Sequence, residues 1–185
     1  MATLGRIGTH LRPGMPGASG GVAHLKGLAA VEARLNLELE GIKDRSMKGL
    51  ISYAAFIREK TEHEEPLTPV DYGNLRASWF VVTAKRDVRT KGKKAFKGPN
   101  AEKIAEQKAS AITTGQGEIA SMDTKDKKFL MMGYGANYAG FVHEFIPGIA
   151  NFSRPGSREK WFQEHLYKNT NKMVEIVKEN AQIKG

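Results

Sequence analysis

An acidic run, a histidine–glutamate pair and a glycine triplet are where this chain could do chemistry. His143-Glu144 begins like the helix of a zinc protease, in which two histidines four residues apart hold the metal and the glutamate acts as base. Position 147 is Pro147, so the second histidine is missing and the pair reads as hydrogen-bonded structural partners. Glu62-His63-Glu64-Glu65 offers three carboxylates and an imidazole, but they are contiguous and run into Pro66, which favours a solvated helix end over a metal site. Gly115-Gln116-Gly117 lacks the third glycine and the preceding apolar strand of a nucleotide loop. The chain has no cysteine, which excludes disulfides, thiolate metal sites and a cysteine nucleophile, and fits a reducing cytoplasm. The expectation is therefore no enzyme, with no catalytic residue, no cofactor and no metal.

The charge pattern points to partners instead. The formal net charge is +9 and the pI about 9.7, which suggests an anionic partner, nucleic acid or acidic protein. Lys85, Arg86, Arg89, Lys91, Lys93, Lys94 and Lys97 stand against Asp87 alone, so six units of the net charge sit between Lys85 and Lys97. Such a run can neutralise several phosphates, and non-sequence-specific nucleic-acid binding is one reading. Only Phe96 is interleaved as a stacking group, so sequence-specific recognition is not expected, and a partner-binding or solvated loop is the favoured reading.

What must hold that run begins with a corner, Leu67-Thr68-Pro69-Val70-Asp71-Tyr72-Gly73-Asn74-Leu75-Arg76. Pro69 fixes its own φ and pushes Thr68 to extended backbone, Asp71 can accept backbone N–H bonds, and Gly73 can take the positive φ that closes the turn. A strand is expected from Leu75 to Ala84 and a second from Lys128 to Tyr134. Residues 86–126 read as a polar, basic insertion, a strand extension or functional loop with a short helix at Ala101–Ile112. Before the corner, Leu28, Val31, Leu35, Leu39, Ile42, Leu50, Tyr53 and Ile57 have helical spacing, with a break expected between Gly41 and Gly49. After it, Tyr138–Phe145 is either one helical turn or a strand, and Phe162, Leu166, Met173, Ile176 and Val177 mark a C-terminal helix of about six turns capped by Ser157. Residues 1–24, rich in Gly and Pro, read as a flexible arm ahead of a single domain at 25–185. Met1–Arg6 has no apolar stretch of signal-peptide length, and runs such as Trp79-Phe80-Val81-Val82 fall far short of a membrane span. The expected class is α+β: an antiparallel sheet flanked by a long N-terminal helix and a C-terminal helix, with a long basic insertion between strands.

Three segments in this order, Thr68–Arg76, Tyr138–Glu144 and Arg154–Phe162, resemble the neck or tail-completion family of tailed bacteriophages, over roughly residues 28 to 180. Thr68, Pro69, Asp71, Gly73, Asn74, Leu75 and Arg76 match the family's corner, Tyr138, Ala139, Val142 and Glu144 its second element, and Arg154 and Pro155 its step into the last helix. The chain departs from the pattern at Phe145-Ile146-Pro147-Gly148, where a Gly-Thr is usual, and in its long insertion. The resemblance implies a virion protein, assembled in the host cytoplasm, that forms a homo-oligomeric ring at the head–tail junction as a terminator, completion or connector part. Its implied partners are other neck and tail proteins, with non-specific contact to DNA in the lumen and none to membrane. Arms and loops extending from each subunit suit the heterologous contacts that close such a ring.

Overall fold

A computed structural model describes residues 21–70, 73–88, 96–145 and 152–182, with the side chains of 21–27 and Arg86 outside that description. All of the arm expected at 1–24 except its last few backbone positions therefore lies outside the described residues. The chain divides into two compact units, residues 1–39 and 40–185. Helix α1 (Gly21–His63) contributes to both; in the first unit Leu28, Val31, Leu35 and Leu39 are exposed.

The second unit is built on β1 (Trp79–Thr83), which has no solvent face: all five of its residues are buried. It is the middle strand of an antiparallel sheet, β2-β1-β3, with β2 at Arg86–Asp87 and β3 at Met131–Tyr134. Trp79 pairs with Tyr134 and Val82 with Met131 on one side, while Thr83 pairs with Arg86 on the other. Side chains alternate across a strand, so Trp79 and Val81 point one way and Phe80 and Val82 the other. The first pair packs with Tyr53, Ala54 and Ile57 of α1, with Phe162 and Leu166 of α5 (Trp161–Lys168), and with Met173 and Ile176 of α6 (Thr170–Ala181). The second pair packs under Ile119, Ala111 and Ile112 of α3 (Ala101–Met122). Two helical layers over one sheet make the fold α+β, as expected. Among the described residues no helix is long and apolar enough to cross a membrane.

Several expected boundaries are corrected by packing. Within the insertion expected at 86–126, Ala101–Met122 form α3, a 22-residue helix that covers the second face of the sheet, so the short helix expected at Ala101–Ile112 continues to Met122. The first strand starts at Trp79, because Asn74–Ala77 form a single helical turn, α2, and the second starts at Met131. Helix α1 runs unbroken through Gly41 and Gly49. Gly49 is there for close approach: a Cβ on it would sit 2.9 Å from Val177 Cα, where α6 crosses. The C-terminal helix is two helices, interrupted at Asn169 (φ −110°, ψ 18°), whose side-chain amide bonds the His165 carbonyl at 2.8 Å. Ser157 does not cap it; Ser157 is buried in a parallel bridge with Leu67, and the residue before α5 is Lys160 in the left-handed region (φ 57°). Tyr138–His143 is helical, α4.

Two glycines separate packing from propensity. A Cβ on Gly135 would lie 2.7 Å from Lys108 Cα, whereas one on Gly117, exposed in α3, would meet nothing within 4 Å. Gly135→Ala should therefore lower stability by about 1–3 kcal/mol through overpacking. Gly117→Ala should raise it by about 0.5–1 kcal/mol through helix propensity. Chemical denaturation of the two variants checks both signs, and the same sign for both would contradict the packing of α3.

Candidate functional site

The corner is locked by backbone and hydroxyl bonds. Leu67 N–H donates to the Gly156 carbonyl at 2.8 Å and Thr68 N–H to the Thr61 carbonyl at 2.8 Å. The buried Thr68 hydroxyl donates to the same Thr61 carbonyl at 3.0 Å, and the Tyr134 hydroxyl lies 3.0 Å from Thr68 Oγ1 and 3.2 Å from Thr61 Oγ1. Burial pushes the Tyr134 phenol above its ordinary range, so it stays a neutral member of this network. Pro69 is buried, and Asp71 and Tyr72 lie outside the described residues. Gly73 has the positive φ expected of it, 82°, with open space where a Cβ would point.

Asn74 joins the corner to the basic segment. Its Nδ2 donates to the Lys97 carbonyl at 2.8 Å and its Oδ1 accepts the Lys97 N–H at 2.9 Å, so one buried amide substitutes for a strand partner. At the other end, Val88 N–H donates to the Val81 carbonyl at 2.8 Å, continuing the β1–β2 ladder. The basic segment is thus fixed at both ends, by a strand pair and by the corner. Lys85 is exposed in the β1–β2 turn, the Arg86 backbone lies in β2, and the Lys97 side chain is exposed. Arg89, Lys91, Lys93 and Lys94 lie outside the described residues. Phe96, the one aromatic interleaved among the cations, packs on the buried cluster of Leu75, Ile104, Ala136, Ala139 and Trp161 and is not presented as a stacking platform.

That cluster draws in all three segments on which the family resemblance rests: Leu75 from the corner, Ala139 from α4, and Trp161 just after Arg154-Pro155. Ion pairs reinforce it from outside. Arg76 pairs with Glu62, whose other carboxylate oxygen takes the Arg58 Nε at 3.2 Å, and Arg154 Nη2 donates to the Glu62 carbonyl at 2.8 Å. Glu62, expected in a solvated helix end, is instead a largely enclosed hub for three arginines. Glu144 is exposed; Lys160 first and His143 second hold its carboxyl below the ordinary carboxylate range. Pro155 is exposed, while Tyr138 and Val142 line an apolar recess of about 210 Å³ with Pro69, Val70, Leu75 and Phe152.

The residues with catalytic potential are engaged structurally. His143 Nδ1 lies 2.7 Å from Glu144 Oε1 and its Nε2 accepts the Gln163 N–H at 3.4 Å, so both ring nitrogens are engaged. The buried His165 Nε2 lies 3.0 Å from the Pro66 carbonyl and 3.2 Å from the Glu64 carbonyl, so it carries the proton and ties α5 to the end of α1. Gly115 and Gly117 are inside α3 and form no loop. Among the described residues no three His, Cys, Asp or Glu converge to hold a metal. Sequence reasoning missed Glu62 and Asn74 as hubs; the Arg58–Glu62 spacing of four residues was a usable sign for the first, but the partner of Asn74 is 23 positions away.

Asn74→Ala should leave the Lys97 N–H and C=O without their partner and cost about 1–3 kcal/mol. Amide exchange at Lys97 should accelerate before global unfolding. Gly73→Ala should cost about 1 kcal/mol through backbone strain alone. Unchanged exchange at Lys97 in the Asn74 variant would contradict the tie. No family model, no curated protein and no solved structure matches this chain, so a functional reading rests on this geometry and on the three-segment resemblance.

Proposed function

We propose that the protein is a structural subunit of a tailed-phage neck, one copy in a homo-oligomeric ring at the head–tail junction through which DNA passes. It acts by binding and has no catalytic activity; its tasks are to contact neighbouring copies and the neck and tail proteins above and below. The observation that supports this reading best is the convergence of the corner, α4 and the Arg154–Trp161 segment on one cluster, which also fixes the base of the basic segment through Asn74. A subunit that must repeat one contact around a ring needs a contact loop on a rigid frame, and both ends of Lys85–Lys97 are tied to such a frame. The cations then face neighbouring subunits or neck proteins, with DNA in the lumen as a non-specific neighbour.

The test is neutralisation of the loop, replacing Lys91, Lys93, Lys94 and Lys97 with Gln. On this reading the four cations meet partners outside the subunit and contribute little to its own stability, so the variant should stay within about 0.5 kcal/mol of the parent in unfolding free energy. Head–tail joining or ring formation should be impaired, and the parent should bind free duplex DNA weakly and without sequence preference. Tight duplex binding by the lone subunit at physiological salt would overturn the reading, if the four changes abolish it and flatten the salt slope by about 0.9 for each phosphate no longer neutralised. The protein would then be a nucleic-acid binder.

A further inference from the structure

Leu28, Val31, Leu35 and Leu39 of α1 stay 51 to 62% exposed. At about 100° per residue they fall in an arc of about 80°, with Glu32 and Glu38 each about 20° beyond one of its edges. From Leu28 to Glu40 the helix carries Glu32, Glu38 and Glu40 against Arg34, an acidic stretch in a chain of net charge +9. It is therefore an apolar stripe with an acidic border. The counterpart surface is an apolar groove of about 290 Å³ between α3, β3 and α5, lined in part by Ile119, Met122, Phe129, Leu130, Met132 and Leu166. Methionine side chains adapt to the shape of an incoming apolar surface. The loop from Met122 to Phe129, which edges the groove, carries the exposed Lys125, Lys127 and Lys128; of its two acids, Asp123 is engaged by Lys128 and the Phe129 N–H, and Asp126 lies 4.0 Å from Lys43.

We propose that the stripe of α1 docks in this methionine-lined groove on a second copy of the chain, with Glu32 and Glu38 meeting Lys125, Lys127 and Lys128. Complementary charge selects this occupant. Pairing of two α1 stripes would bring identical acidic borders together, and an anionic lipid surface would repel the same glutamates. The contact is heterologous, stripe to groove, so each copy has one free stripe and one free groove and repeats build a ring or an open filament. It adds a second contact to the one proposed above for the basic segment, and rests on that reading only for ring closure.

The experiment is sedimentation velocity on the full chain, with two variants at exposed positions: Val31→Ser/Leu35→Ser in the stripe and Met122→Glu in the groove. Wild type should self-associate with rising concentration, and each variant should show a roughly tenfold or greater rise in its self-association Kd with an unchanged circular dichroism spectrum. Mixing the two variants should give a heterodimer and nothing larger, since one supplies the intact groove and the other the intact stripe. Self-association of the Met122 variant at wild-type strength, with the stripe variant monomeric, would overturn the proposal in favour of stripe–stripe pairing. A mixture that forms no heterodimer also overturns it, as does a monomeric wild type whose stripe instead drives sedimentation with phosphatidylserine vesicles. Failure here with the protein still found in phage particles leaves the neck reading intact with a different contact; success with the protein absent from particles removes the neck reading alone.

Discussion

Every layer of the larger unit follows from a strand that cannot face water. Trp79-Phe80-Val81-Val82-Thr83 presents large apolar groups on both sides, and each such side chain contributes about 1.5–3 kcal/mol when buried. One side is met by α1, α5 and α6, which come from distant parts of the sequence. The other needs a cover of its own, and the polar insertion provides it as α3, touching the sheet through Ile119, Ala111 and Ile112. The close crossings follow: α6 lies against α1 at Gly49, and α3 meets the end of β3 at Gly135, where a side chain would strike backbone.

With the strand fixed, the chain entering and leaving it is fixed too. The corner arrives through Thr68, held on the Thr61 carbonyl, and turns into α2 at Gly73, so that Asn74 faces the returning backbone at Lys97. The same cluster that buries Leu75 buries Trp161, and Lys160, whose N–H donates to the His143 carbonyl at 3.0 Å, closes α4 against α5. Polar groups that suggest chemistry in isolation, His143, Glu144, Glu62 and His165, are used here as fasteners between elements. Among the described residues, Lys85 and Lys97 at the ends of the basic segment and the apolar stripe of α1 are left facing solvent.

The sequence was legible where local chemistry decides the outcome. Gly73 could be assigned a positive φ because Pro, Asp and Gly punctuate a turn, and the α+β class followed from helical spacing in α1 and a β-rich run at Trp79–Thr83. It was illegible where distant partners decide. The half of α3 beyond Ile112 was hidden because Thr113-Thr114-Gly115-Gln116-Gly117 carries two glycines and no apolar residue, and its apolar face is completed by Val82 and Met131 from the sheet. The bridge at Ser157 was likewise set by a distant partner, Leu67, whereas the break at Asn169 is local, its amide turned back onto the His165 carbonyl four residues earlier. Of the expected interface, Lys85 and Lys97 are placed at the two ends of the segment, while the tie through Asn74 has no local signature.

A neck subunit must reside in the particle, at one place along its axis. Gold labelling of the epitope-tagged protein in purified particles produced by the genome that encodes it, viewed by electron microscopy, reads that place directly. Label should concentrate at the head–tail junction of intact particles. Label confined to the soluble fraction, with particles bearing none, would rule out the neck role.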